Sequence, residues 1–324
     1  TALAGPGGIA VVNKTKPTKG FGKFLYDLNK NKAYLLLTLP MILLVFIFNY
    51  LPMAGIIVAF KNFRYDQGIF RSEWVGFRNF EFFFRNPDAK AIILKTLGYN
   101  SAFIIINLVV SVGVALLLYQ VHNRRVLKIY QTTMFIPYFL SWVVVAYMAY
   151  AFLNPASGVL NRLRVLMGLE KISWYTKPNH WIFILPIANT WKSLGFNALI
   201  YYANLMGIDP EYFEAATLEG ANKLQVTRHI TIPFLYPLIT ILTILAIGGI
   251  FSADFGLFFQ LPMDSKLLYK TTDVVETYLY RALAVSGNID TASAAGLIKS
   301  IVGFICVVST NLIVRKMNPE NALF

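Results

Sequence analysis

The stretch Asp209-Pro-Glu-Tyr-Phe-Glu-Ala-Ala-Thr-Leu-Glu-Gly220-Ala-Asn-Lys-Leu-Gln-Val-Thr-Arg-His-Ile-Thr-Ile-Pro233 reads as a helix, a break and a second helical stretch. Asp209 can cap the free N–H groups of the first turn, Pro210 suits the first helical position, and Glu211 favours the positive end of the helix dipole. Gly220 can end the helix in the left-handed conformation. Ala215 and Ala216 leave a low-relief surface for close packing by another protein, and Pro233 opens the return to the next apolar run. On composition alone, a well-capped polar loop with no further role is an equal reading.

On either side lie apolar runs, near 181–207 and 234–260, and the pattern continues outward. Further runs fall near 33–60, 99–121, 131–153 and 291–314. The chain is 56% hydrophobic and only 14% charged, against about 25% charged for a soluble domain. No charge occurs from Ala33 to Phe60, from Tyr99 to Val121 or from Ile129 to Asn161. Each stretch exceeds the roughly 20 residues a helix needs to cross about 30 Å of hydrocarbon. Lipid offers no partner to backbone N–H and C=O groups, so helices are the plausible spanning form. The alternation of a β-barrel strand is absent from the pattern. The expected fold is all-α transmembrane, with about six membrane-spanning helices. Pro40 and Pro52 can kink the first.

Residues 1–32 are Gly- and Lys-rich without the apolar core of a signal peptide, and read as a tail. Within it Phe21, Phe24, Leu25 and Leu28 recur at helical spacing, which suits a short interfacial helix or a disordered basic segment. Residues 33–324 read as the membrane domain. Lys and Arg divide almost evenly between the two faces, so charge discriminates orientation weakly. The cluster Arg124, Arg125 and Lys128 favours a cytoplasmic position, and the basic tail agrees. The opposite loops are also basic overall, which attracts anions. Cys306 is the single cysteine and excludes an internal disulfide or a cysteine-based metal cluster. All three histidines fall between spans, which argues against axial haem ligation.

The run Glu214-Ala215-Ala216, with Gly220 four residues on and Ile230-Thr-Ile-Pro233 closing the segment, resembles the EAA loop of permease subunits of ABC importers. Ile232 stands where Leu is commoner. Trp74-Val-Gly-Phe-Arg-Asn-Phe80, Val275-Glu-Thr-Tyr-Leu-Tyr-Arg281 and the last span through Asn311 and Arg315 resemble the oligosaccharide and polysaccharide branch, nearest the alginate-importer permeases. The resemblance implies the type I ABC importer permease fold and a cytoplasmic coupling loop at about 208–233 that docks on an ATP-hydrolysing subunit. Glu214, Ala215, Ala216 and Gly220 would form that dock, with Ile230 and Pro233 fixing its return. It also implies a bacterial inner-membrane location with both termini cytoplasmic. The implied partners are a second homologous permease, two ATPase subunits and an extracytoplasmic solute-binding protein, with membrane lipid around them and no nucleic acid.

The chain has no P-loop of its own: Gly22-Lys23 is followed by Phe24 and lacks the remaining residues that cradle phosphates. ATP and Mg are therefore expected on the partner subunits, and no cofactor, metal site or catalytic residue on this chain. In the related maltose permease the substrate pocket lies on the helices flanking the coupling loop. That implies a pathway here along Trp191, Lys192, Gly195, Asn197, Phe251, Asp254 and Phe255. Aromatic faces stack on sugar rings, Asn and Asp exchange hydrogen bonds with hydroxyls, and Gly195 would let a ring approach backbone. Ionisable residues inside a membrane cost roughly 2.5–3.5 kcal/mol on insertion scales, which singles out Lys192, Asp254 and Lys299. Each can instead pair with another or snorkel to an interface. Lys192 could neutralise a uronate, which points to an acidic, alginate-like saccharide moved by alternating access. A proton-coupled secondary transporter is the competing reading; against it, Asp254 is the only acid within a predicted span. A membrane enzyme is a third, without a nucleophile–base constellation to support it.

Overall fold

The computed structural model describes residues 30–81, 87–285 and 287–323, with Phe24, Tyr26 and Asp27 before them. Most of the tail, and so most of its expected interfacial helix, lies outside the described residues. The chain divides into two compact units, one ending at Ile56 and one beginning at Ile57. In the first, helix α1 (Lys32–Val45) runs through Pro40 into a π-helical turn (Phe46–Tyr50). A 3-10 segment (Leu51–Phe60) carries the run across the boundary. A mean apolarity that is nearly uniform around α1 leaves no buried face, and none of its residues is buried.

The second unit holds α2 (Pro87–Tyr119), α3 (Arg124–Phe139), α4 (Trp142–Leu153), α5 (Pro178–Leu205), α6 (Glu211–Leu218), α7 (Lys223–Gly248), α8 (Val275–Ala284) and α9 (Ile289–Met317). A two-residue ladder, β1 (Lys61–Asn62) antiparallel to β2 (Glu73–Trp74), closes the loop before α2. Among the described residues, four helical runs are long and apolar enough to cross a membrane, or five if the bent pair α3–α4 is one span. The remaining expected span is α5, 28 residues long. It has the length, but Asn189, Lys192, Asn197 and Asn204 dilute its apolarity.

Three expected boundaries move. The second span begins at residue 87 rather than 99, because Lys90 and Lys95 are good helix formers and extend α2 without breaking it. The third is two helices meeting at 102°. Leu140 is extended, and the Ser141 hydroxyl accepts from the Val144 N–H at 3.3 Å to start α4 afresh. The fifth runs 223–248, not 234–260: the helix stops at Gly248, residues 249–254 are turn and coil, and a π-helical turn follows (Gly256–Gln260).

Apolar side chains gain little by leaving lipid for protein, so membrane helices associate through close backbone approach at small residues. Gly303 lies against the Gly248 carbonyl, 2.7 Å from where a Cβ would sit. Gly195 is buried against the Met134 backbone, whose carbonyl oxygen would be 2.0 Å from an added Cβ. One core joins Trp181 and Leu185 of α5 to Leu257, Phe258, Leu261 and Leu268 beyond the break. A second joins Ala115, Tyr201, Leu205 and Leu235 beneath the 209–233 segment.

Candidate functional site

Two places combine unusual backbone with exposed polar chemistry. The first is the 209–233 segment. The Asp209 carboxylate accepts from the Glu211 N–H at 3.1 Å, and α6 ends in a Schellman arrangement. There Ala221 N–H donates to the Ala216 carbonyl (2.9 Å) and Gly220 N–H to that of Thr217 (3.0 Å). Gly220 sits at φ +76°, the left-handed region its position suggested. Asn222 then opens α7 with a capping box: its side chain accepts from Gln225 N–H, and the Gln225 side chain accepts from Asn222 N–H. The end of α6 and the start of α7 are thus tied at the corner by local backbone and side chain–backbone hydrogen bonds.

Phe213 anchors α6, its ring 5.8 Å from that of Tyr119. The opposite face is open. Glu214 and Ala215 are exposed, Ala216 half-buried, and Leu218 is 90% exposed. Ala216, Gly220, Ala221 and half-buried Ile230 line a notch of about 400 Å³ between the helices. Pro233 lies within α7, where the missing N–H falls beside a π-helical turn (Thr227–Thr231). It therefore does not open a new helix after a loop, as its place in the sequence suggested; the helix has already begun at Lys223. Leu218 and Leu224, the latter 77% exposed, were not singled out by sequence. Their signal was an apolar residue on each side of a glycine-capped turn.

The second place is a cleft of about 420 Å³ between α2, α5 and the end of α7. Its polar lining comprises Asn100, Asn107, Asn189, Asn197, Ser252 and Asp254, with Thr243 and Tyr201. Asn100 donates to the Ile250 carbonyl at 2.6 Å, satisfying a group the helix break leaves open. Ser193 donates to Asn107 at 3.3 Å. Asp254 lies in the coil after the break, not within a span. One of its oxygens accepts from the Trp142 indole N–H (2.7 Å), the other from the Leu257 N–H (3.2 Å). The Trp142 side chain lies against Gly256, where a Cβ would come within 2.1 Å of its Cδ1. The bend after α3 and the break after α7 are therefore keyed together by one indole.

Of the seven residues expected to form the pathway, the cleft gathers Asn197 and Asp254. Trp191, Phe251 and Phe255 do not line it; Phe255 packs instead against Phe259 and Tyr280, with centroids 4.8 and 4.9 Å away. Gly195 is not open to a sugar ring, because Met134 backbone occupies that space. Lys192 donates to the Tyr138 carbonyl at 2.9 Å and lies 5.5 and 5.4 Å from the Tyr138 and Trp142 ring centroids. It caps the last turn of α3, whose carbonyls have no helical partner. Lys299 pairs with Glu276 at 2.7 Å. Sequence reasoning missed Asn100, Asn107 and Asn189, although a carboxamide inside an apolar run was itself the signal.

The family model described as binding-protein-dependent transport system inner membrane component matches residues 107–319. Protein LplB of Bacillus subtilis (strain 168) is 32% identical over 304 residues, 94% of this chain and 95% of that protein. The polygalacturonan/rhamnogalacturonan transport system permease protein YteP of the same organism is 31% identical, over 96% and 95%. A solved bacterial ABC transporter involved in the import of the acidic polysaccharide alginate contains a chain matching at TM-score 0.83 and 29% identity. The match covers 91% of this chain and 99% of that one. A second structure of the alginate transporter, in complex with an alginate pentasaccharide-bound periplasmic protein, matches equally at TM-score 0.83.

Proposed function

The chain belongs to the family of binding-protein-dependent transport system inner membrane components and is a sugar ABC-importer permease, and we propose that its cargo is an acidic oligosaccharide. Support comes from the polygalacturonan/rhamnogalacturonan permease and the alginate importer among its relatives. The proposed complex contains a second homologous permease, two ATPase subunits that bind ATP and Mg, and an extracytoplasmic binding protein. It sits in the bacterial inner membrane with both termini of this chain cytoplasmic. The proposed domain division is a cytoplasmic tail at 1–32 and a permease domain at 33–324.

The observation that carries the mechanism is the α6–α7 corner. A lever that transmits force must not flex, and here the Schellman turn, the capping box and the edge-on contact of Tyr212 with Phe234 tie the two helices at the corner. Glu214, Ala215, Ala216 and Gly220 form the proposed dock on the ATPase, with Ile230 and Pro233 fixing the corner to the membrane part. α7 runs unbroken from that corner to Gly248, where the helix break begins beside the cleft. Closure of the ATPase pair moves the corner, α7 carries the motion to the break, and the cleft containing Asn197 and Asp254 changes the side to which it opens. The proton-coupled alternative finds no support in the relatives.

The test is ATPase activity of the reconstituted complex, with its binding protein, against a saccharide panel. Stimulation by uronate oligosaccharides is expected. Stimulation by neutral sugars alone would discard the acidic cargo, and no stimulation by any would discard the importer assembly.

A further inference from the structure

Given an acidic oligosaccharide as cargo, the cleft of this subunit carries the wrong charge to hold its carboxylates. Among the described residues the one charged side chain lining it is Asp254. Two donors fix that carboxylate, the Trp142 indole and the Leu257 N–H, one on each oxygen. Each oxygen keeps acceptor capacity toward the exposed side. Lys192 is not in the lining, and its ammonium is engaged by the Tyr138 carbonyl and two ring faces. The remaining polar groups are hydroxyls and carboxamides. The carboxamides of Asn189 and Asn197 have no hydrogen-bond partner among the described residues and border the open space.

A carboxamide offers both a donor and an acceptor, which matches a sugar hydroxyl that is itself both. A carboxylate accepts from hydroxyls and repels another carboxylate, the more strongly in a site of low dielectric. We infer that this cleft reads hydroxyl groups, with Asp254 as its specificity-determining residue, and that a uronate carboxylate passes turned away from this chain. The inference rests on the acidic-oligosaccharide reading and assigns recognition of the negative charge to another surface of the complex.

The test alters the charge of the cleft in both directions. The readout is ATPase stimulation per assembled complex by a uronate oligosaccharide on saturating binding protein. Asp254→Asn removes the repulsion and keeps a hydrogen-bonding group, so stimulation is expected to rise about two-fold or more. Asn197→Asp adds a second negative charge and is expected to cut stimulation about ten-fold. A purely structural role for Asp254 lowers activity in Asp254→Asn, where the inference expects a rise. Stimulation by Asp254→Asn at or below the wild-type level, or by Asn197→Asp at the wild-type level, would overturn the inference. A wild-type complex that no uronate oligosaccharide stimulates would instead overturn the cargo on which it rests.

Discussion

A single glycine shows how a backbone angle shapes a corner. Gly220 has open space where a Cβ would project, so a side chain there meets no clash; the obstacle is φ +76°. A left-handed residue other than glycine costs roughly 1–2 kcal/mol, more for a β-branched one. Gly220→Val is therefore expected to leave the complex assembled but to loosen the corner, lowering uptake per ATP hydrolysed; parallel transport and hydrolysis assays check this. Tyr175, in the loop before α5, makes a different point. Its hydroxyl is buried without a hydrogen-bond partner among the described residues, and burial pushes the phenol from 10 up to about 12. The folded chain holds that proton more tightly than the unfolded chain does. Stability from this group is thus full below the ordinary pKa and lost as pH rises through about 12. Tyr175→Phe should flatten the alkaline fall in melting temperature without lowering stability at neutral pH.

Helices differ in how openly the sequence announces them. The ends of α6 were legible because every signal is local: Asp209 before Pro210, and Gly220 just past the last helical residues. The bend between α3 and α4 was not, since 131–153 is uniformly uncharged and the turn depends on Ser141 competing for backbone N–H groups. The break after Gly248 was hidden likewise, because a mostly apolar run continues around Ser252 and Asp254 to Leu261. Charge marked Lys192 as unusual, but its partners lie 50 and more residues away, and only the fold brings the Tyr138 carbonyl to it. The same holds for Gly195, read as a ring-binding surface and found at a helix crossing. Gly195→Ala places a methyl against the Met134 carbonyl and should destabilise the α3–α5 packing by about 1–3 kcal/mol. Thermal unfolding in detergent measures it.

At the scale of the whole permease domain, specific contacts across helices add to the packing of small residues that membrane helices rely on. Lys299 of α9 and Glu276 of α8 form a pair with side chains 29% and 12% exposed. Losing one partner strands the other in a poor dielectric, so Lys299→Met should cost about 1–3 kcal/mol. Replacing both with apolar residues should recover much of that, and a double-mutant cycle on detergent stability reads the difference. The Trp142 contact has a consequence of another kind. Its indole joins two helix discontinuities and touches the carboxylate that borders the cleft. Any rearrangement that parts the bend from the break strips that indole of its charged neighbour and changes its solvation. With the other four tryptophans replaced by phenylalanine, its emission maximum becomes an optical record of the turnover cycle. The shift should follow nucleotide binding in real time, without an attached dye.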